Sequence, residues 1–117
     1  QVLFKASEPE WASSKKHGGY VTDGPFLHKC ADGRLIMIWS SFDKNGYVEA
    51  VAYSKDGTVN GEWAHCKKTM SAVNGGHGMI FKADNKLYLS FHTPNINGQE
   101  HPKFIEIKDT GNSIEIV

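Results

Sequence analysis

The sequence has no excess charge of either sign, few cysteines and no long apolar run. Thirteen Lys and Arg residues balance 13 Asp and Glu residues without a dense basic cluster, so neither nucleic acid nor a membrane is an expected partner. The longest apolar run, residues 35–39, is far shorter than the roughly 20 residues that span a bilayer. Cys30 and Cys66 form no CxxC pair, and two buried free thiols are expected. The 117 residues suffice for one domain with a modest core.

Short strand patterns separated by turn residues fill the chain. Asn45-Gly46 is a strong hairpin signal, and no segment sustains the 3.6-residue periodicity of a helix. Residues 1–4 also have the pattern of a strand, and no signal peptide is expected at this end. The other predicted strands are 26–30, 35–41, 47–54, 59–67, 78–83, 86–92, 103–108 and 113–117.

The second half of the chain repeats the first. GPFLHKCADGRLIMIW at 24–39 resembles GMIFKADNKLYLSF at 78–91, with an offset of about 52 residues. Four strands in roughly 50 residues make one blade of a β-propeller. The sequence therefore predicts an all-β fold of about two four-stranded antiparallel propeller blades, with a small β-sandwich as the alternative. The predicted divisions are 1–19 as the end of a preceding blade and a loop, 20–73 as one blade and 74–117 as the next.

Two blades by themselves would leave apolar faces and strand edges open. Propellers typically close with four to eight blades. The expected protein partners are therefore the missing blades of a larger propeller or other copies of this chain.

Candidate site residues lie where the innermost strand of each blade begins. These starts are TDGP at 22–25 and GGHG at 75–78. Glycines at such positions let the backbone approach the channel axis closely. We therefore expect the carboxylate of Asp23 and the imidazole of His77 to face one cavity.

A second candidate group lies upstream, at residues 7–11. Glu8 and Glu10 are close in sequence to Trp11. Carboxylates beside an aromatic ring suit a sugar, which has polar edges and apolar C–H faces. Trp11 is thus a candidate sugar platform, with packing as the equal alternative. Four other histidines have no partner at ligand spacing and are expected to be solvated: His17, His28, His65 and His101. His92, which follows an inner strand, could border the cleft but is expected to lie outside it.

Five segments, in order and at matching spacing, resemble the C-terminal part of the catalytic domain of glycoside hydrolase family 43. They are ASEPEW at 6–11, VTDGPFL at 21–27, MIWSSF at 37–42, GGHGMIF at 75–81 and LYLSFHTPN at 87–95. The resemblance implies a five-bladed propeller and an inverting glycosidase acting on arabinose- or xylose-containing plant polysaccharides, such as arabinofuranosides and xylosides. Such substrates favour a secreted or periplasmic location.

The same resemblance implies which residues would be catalytic. Inverting hydrolysis needs one carboxylic acid and one carboxylate base. The family's base and its pKa-modulating Asp lie on earlier blades, so the isolated chain is expected to be inactive. Glu8 is the preferred acid, and Asp23 is its competitor, since it matches the wider family's acid but is shorter by one methylene.

His77 matches a family histidine near the channel axis, often beside a cation that is usually calcium. Imidazole is a poor direct ligand for this hard ion, so any role of His77 in holding calcium would be mediated by water. His77 would also contact the substrate. Two other functions remain open: a non-catalytic carbohydrate-binding propeller, favoured by Asp in place of Glu at position 23, and an ordinary interaction propeller.

Overall fold

The computed structural model describes residues 1–70 and 74–117, which form two four-stranded antiparallel sheets. The first sheet contains β1 (Asp23–Lys29), β2 (Leu35–Phe42), β3 (Tyr47–Ser54) and β4 (Trp63–His65). The second contains β5 (Gly76–Ala83), β6 (Lys86–Thr93), β7 (His101–Asp109) and β8 (Ile114–Ile116). Both sheets follow the chain order. The described residues contain no helix, and accordingly none long and apolar enough to cross a membrane.

This architecture confirms the predicted all-β fold of two four-stranded antiparallel blades. The sheet of β1–β4 lies within residues 20–73, and the sheet of β5–β8 lies within residues 74–117. Sequential strands pair throughout because each short turn returns the chain alongside the strand that it has just left.

The internal repeat extends to an irregularity in the strand pairing. The β1–β2 register shifts between Asp23 and Phe26, and the β5–β6 register shifts between Gly76 and Met79. Gly24 and His77, 53 residues apart, occupy these two shifts, with φ of 52° and 57°. Both blades thus begin with a β-bulge, which re-aims side chains at the end of a strand.

The main core lies between the two sheets. It is built from aliphatic and aromatic side chains that both sheets contribute, because each strand turns alternate residues toward the other sheet. Its buried members are Cys30, Ile36, Ile38, Val51, Ile80, Leu89, Phe91, Ile107 and Ile114. Both cysteines are free, but only Cys30 is buried, whereas Cys66 is half-buried.

The outer face of the first sheet has its own core. Residues 1–11 cover it, and their side chains pack around Trp39, which is 1% exposed. The prediction of a strand at residues 1–4 is wrong, since this segment pairs with no strand among the described residues. Its apolar pattern arises instead because Leu3 and Phe4 cover that core.

The fourth predicted strand, 59–67, is shorter than expected and comprises only Trp63–His65. Side-chain hydrogen bonds hold the preceding residues in a loop. The Ser54 hydroxyl donates to the Thr58 carbonyl at 2.7 Å, and the Trp63 indole donates to the Val59 carbonyl at 2.9 Å. These local bonds compete with strand pairing.

Candidate functional site

Asp23 and His77 meet at the boundary between the two sheets. Asp23 begins β1 and His77 is the second residue of β5, and these strands pack against each other. His77 Nδ1 lies 3.3 Å from Asp23 Oδ2. Their side chains are 57% and 42% exposed, so both can reach a ligand from solvent. The two residues are therefore neighbours at this boundary, although they line separate grooves rather than the single cavity expected from the sequence.

Tyr47 completes this cluster from β3. Its hydroxyl donates to Asp23 Oδ2 at 2.5 Å. Burial opposes ionisation of Asp23, but the hydrogen bond from Tyr47 and the nearby His77 outweigh it and hold the pKa of Asp23 below its ordinary value. Burial and the bond to Asp23 raise the pKa of Tyr47. Asp23 is therefore an ionised hydrogen-bond acceptor at neutral pH.

Gly24 allows the two strand starts to approach this closely. Its φ of 52° lies in the left-handed region, and a Cβ atom there would stand 2.9 Å from the Cα of His77. Any larger residue would both strain the backbone and push His77 away from Asp23. The glycine of the TDGP segment is thus required by backbone packing at the site.

Beneath the cluster lies a buried polar layer. Asp23, Ser40 and Glu49 are successive register partners across β1, β2 and β3. The Ser40 hydroxyl donates to Glu49 Oε2 at 2.9 Å and accepts from the His77 amide at 2.7 Å. Burial raises the pKa of Glu49 to about 7, and hydrogen bonds from Ser40 and the Gly78 amide limit the rise.

Grooves lie on both sides of the Asp23–His77 pair. The one beside Asp23, of about 370 Å³, is lined by Asp23, Thr22, Pro25 and the apolar side chains of Leu3, Phe4, Met37 and Trp39. Two others, of about 300 and 270 Å³, border His77, the first together with residues 90–92 and 100–102 and the second together with residues 24–26. A carboxylate beside apolar and aromatic walls can bind a polyhydroxylated ligand by its edge and its face.

The structure does not bring Glu8 into this cluster. Glu8 lies against the outermost strand of the first sheet, where its Oε2 is 3.3 Å from His65 Nε2 and its Oε1 accepts from the Lys5 amide at 2.9 Å. It lines a different groove from Asp23. Trp11 packs on Trp39 with ring centroids 5.3 Å apart, within the outer core of the first sheet.

The sequence did not identify four residues around the site. Tyr47 and Glu49 lie outside the five segments that resemble the family, whereas Ser40 lies in MIWSSF, where it was expected to be part of the core. All three reach the site through pairing between strands. His92 stacks on Tyr47 at 5.5 Å and bonds to Asn95 at 2.9 Å. One signal was available, since Glu49 is a lone charged residue within an otherwise apolar strand pattern at residues 47–53.

Two histidines expected to be solvated are partly enclosed. His65 faces Glu8, and His28 Nε2 lies 3.2 Å from Asp109 Oδ2, because the β1–β2 turn packs on the β7–β8 turn. Cys30 joins His28 and Asp109 in a group whose ligand atoms lie within 4.8 Å of one another. Burial and nearby carboxylates raise the pKa of Cys30 to about 11, so its thiol is protonated at neutral pH.

Asp109 has a structural role in this second group. Its Oδ2 accepts from the Ala31 amide at 3.0 Å, and its Oδ1 accepts from the Gly111 amide at 2.8 Å. The carboxylate thereby joins the turns of the two sheets. His28 and Cys30 offer softer ligand atoms than calcium prefers, whereas Asp23 offers an exposed carboxylate oxygen beside His77.

Comparison with known proteins relates this chain to an arabinan-degrading enzyme. No protein-family model matches the chain, and no curated protein sequence matches it. The fold is similar to that of the endo-arabinase from Bacteroides thetaiotaomicron VPI-5482, with a TM-score of 0.86 and 41% sequence identity. The match covers 95% of this chain and 41% of that enzyme, so the chain spans about two fifths of its length. The two sheets are thus blades of the propeller type, and the chain is related to a glycoside hydrolase.

Proposed function

We propose that this chain supplies part of the substrate site of an inverting glycoside hydrolase of the family 43 type, which cleaves O-glycosidic bonds in arabinose-containing plant polysaccharide. One observation carries the proposal: the likeness to an endo-arabinase at 41% identity over 95% of the chain. The groove lined by Asp23, Phe4 and Trp39 supports it, since it joins a carboxylate to aromatic walls. Xylose-containing plant polysaccharides are the alternative substrates.

The proposed chemistry needs two carboxyl groups on opposite faces of the sugar, about 6.5–9.5 Å apart. In the described residues, the carboxylate nearest to Asp23 along the register is Glu49, which is buried and engaged in hydrogen bonds. We therefore assign the base to the remaining blades of the complete enzyme. The 117-residue chain by itself should bind sugar without hydrolysing it.

Asp23 and Glu8 remain the two candidates for the acid. Asp23 contacts His77 and Tyr47 and borders the apolar groove. Its lowered pKa means that a bound sugar would have to raise that pKa before Asp23 could donate a proton. Glu8 lines another groove, so a single bound sugar unit would contact only one of the two carboxylates.

His77 is proposed to contact the sugar and, through water, a calcium ion. The exposed imidazole and the Asp23 oxygen beside it present polar atoms to the same solvent region. Calcium takes six to eight oxygen ligands, so waters and other blades would supply most of them. The ion would supply positive charge at the centre of the site. Trp11 is retained as a candidate platform because its ring lies on the outer face of the same sheet.

A non-catalytic carbohydrate-binding propeller is the second candidate function. The observation that favours it is the lowered pKa of Asp23, because an ionised carboxylate accepts hydrogen bonds from sugar hydroxyls but donates none. Sugar binding by the complete protein without turnover would support this alternative.

The decisive test replaces the matching segment of the Bacteroides endo-arabinase with this chain. The chimera should release reducing ends from arabinan, and Asp23→Asn or Glu8→Gln should lower kcat by about 100-fold or more, whichever residue is the acid. Glu62→Gln is the matched control, because the Glu62 side chain is 74% exposed and lines neither the Asp23 groove nor the Glu8 groove.

Three outcomes separate the proposals. Loss of activity only in the Asp23 variant or only in the Glu8 variant assigns the acid. A folded chimera that binds arabinan without cleaving it favours the binding propeller. A folded chimera that neither binds nor cleaves arabinan or a xylose polymer overturns the glycosidase proposal.

A further inference from the structure

Glu49 is a buried carboxylate that packing alone does not explain. It lies in the middle of β3 and is 0% exposed, between Val48 and Ala50. Burying a carboxylate is costly unless specific hydrogen bonds compensate it, and an apolar residue would fit this strand pattern more readily. The contacts of the Glu49 carboxylate should therefore indicate its role.

The carboxylate binds the start of the second blade. Glu49 Oε2 accepts from the Gly78 amide at 2.9 Å and from the Ser40 hydroxyl at 2.9 Å. The Ser40 oxygen in turn accepts from the His77 amide at 2.7 Å. Two consecutive amides of the β5 bulge are thus held by the first sheet, one directly and one through Ser40.

The backbone of this bulge has few alternative conformations. His77 has a φ of 57°, a conformation that residues other than glycine adopt at an energetic cost. A Cβ atom at Gly76 would stand 2.6 Å from Ser40 Oγ, and one at Gly78 would stand 2.8 Å from Glu49 Oε2. The glycines therefore let the backbone reach the Ser40–Glu49 pair, which in turn holds His77 in its strained conformation.

The same conformation directs the His77 ring toward Asp23, whose Oδ2 lies 3.3 Å from Nδ1. We infer that Glu49 is a positioning residue: through Ser40 and the Gly78 amide, it sets the distance and angle between His77 and Asp23 across the two blades. Its consequence for a sugar rests on the function proposed above. The positioning itself does not depend on which ligand binds.

The first test is a nuclear magnetic resonance comparison of four variants of the whole chain. Glu49→Ala should shift the His77 and Gly78 amide resonances and speed hydrogen exchange at Gly78 by about tenfold or more. Glu49→Gln retains an acceptor oxygen and should keep both resonances near their original positions. Ser40→Ala should shift His77 more than Gly78, because it removes only the bridge.

Val51→Ala is the matched control for a general loss of stability. Val51 lies on the same strand face as Glu49 and packs in the core between the sheets. It should lower the unfolding midpoint while leaving the His77 and Gly78 resonances in place. If Glu49→Ala moves those two amides no more than Val51→Ala does, the inference is wrong. If Glu49→Ala does not fold, an unchanged His77 amide resonance in Ser40→Ala would also overturn the inference that Glu49 positions His77.

A second readout separates positioning from the proposed function. In the endo-arabinase chimera, Glu49→Ala should lower kcat at least about tenfold with a smaller effect on KM, and Glu49→Gln should restore most of it. Displaced amides in a chimera that never cleaves arabinan would leave the positioning inference intact and count against the proposed function. Full activity in Glu49→Ala would overturn the positioning inference alone.

Discussion

The pH dependence of stability should reveal the cost of keeping Glu49 buried. Burial raises the pKa of Glu49 from its ordinary 4.5 to about 7, with hydrogen bonds from Ser40 and Gly78 limiting the rise. A group whose pKa is higher in the folded chain binds protons more readily when folded. Its contribution to stability is therefore fully present below about pH 4.5 and is lost as the pH rises through 7.

Glu49→Gln removes this titration and should flatten the corresponding part of the stability profile. The difference between the two pKa values corresponds to about 3 kcal/mol. We expect the free energy of unfolding of the variant, relative to the original chain, to rise by about that amount between pH 4.5 and 8. Asp23 and His77, which interact electrostatically with Glu49, are present in both chains, so their contributions largely cancel in this difference.

Urea unfolding at half-unit pH steps provides the assay. Trp39 and Trp63 are 1% and 6% exposed, so their fluorescence should report the loss of the first sheet. Glu62→Gln is the control, because the Glu62 side chain is 74% exposed and should change stability by less than about 1 kcal/mol at every pH. A stability difference between Glu49→Gln and the original chain that stays constant across the whole pH range would contradict the raised pKa of Glu49.

Three further predictions follow from the site and its surroundings. Tyr47→Phe removes the hydroxyl bond to a partly exposed Asp23 and should raise the pKa of Asp23 toward its ordinary value, as measured by the carbon resonance of its carboxyl. An unchanged pKa would contradict the assigned bond. Gly24→Ala places a side chain on a left-handed backbone and brings its Cβ atom to 2.9 Å from His77, so it should lower the free energy of unfolding by about 2 kcal/mol or more. Gly33→Ala is the control, because its Cβ atom meets no neighbour and only the strain of the left-handed backbone remains. At pH 8 the half-buried Cys66 should react with a thiol reagent before Cys30, which is buried and has a pKa of about 11. Mass spectrometry of the labelled peptides measures the order, and faster labelling of Cys30 would contradict this prediction.

Much of the fold could be predicted from local patterns. Period-two alternation and turn residues such as Asn45-Gly46 are written within a few positions of the strands that they define. The repeat between the halves gave two blades, and each blade has its four strands. The failures occurred where tertiary contacts outweighed local pattern, as when Leu3 and Phe4 cover an outer core instead of pairing in a sheet.

Part of the site was also visible in the sequence. The glycines around Asp23 and His77 marked the two strand starts, because close backbone approach leaves no room for side chains. The residues that hold them were not visible, since Tyr47 reaches Asp23 across 24 residues of chain and Glu49 reaches Gly78, next to His77, across 29. Sequence proximity was misleading for Glu8, whose His65 partner is 57 positions away.

Local patterns were enough to predict most of the strands and turns, the two-blade repeat and the strand starts at Asp23 and His77, because alternation and glycine spacing act over short distances along the chain. Which polar groups meet depends on tertiary contacts: Tyr47 bonds to Asp23, Glu49 bonds to the Gly78 amide beside His77, and Glu8 lies on the outer strand. Strand register and sheet packing are properties of the whole fold, and they set the distances over which hydrogen bonds and charges act.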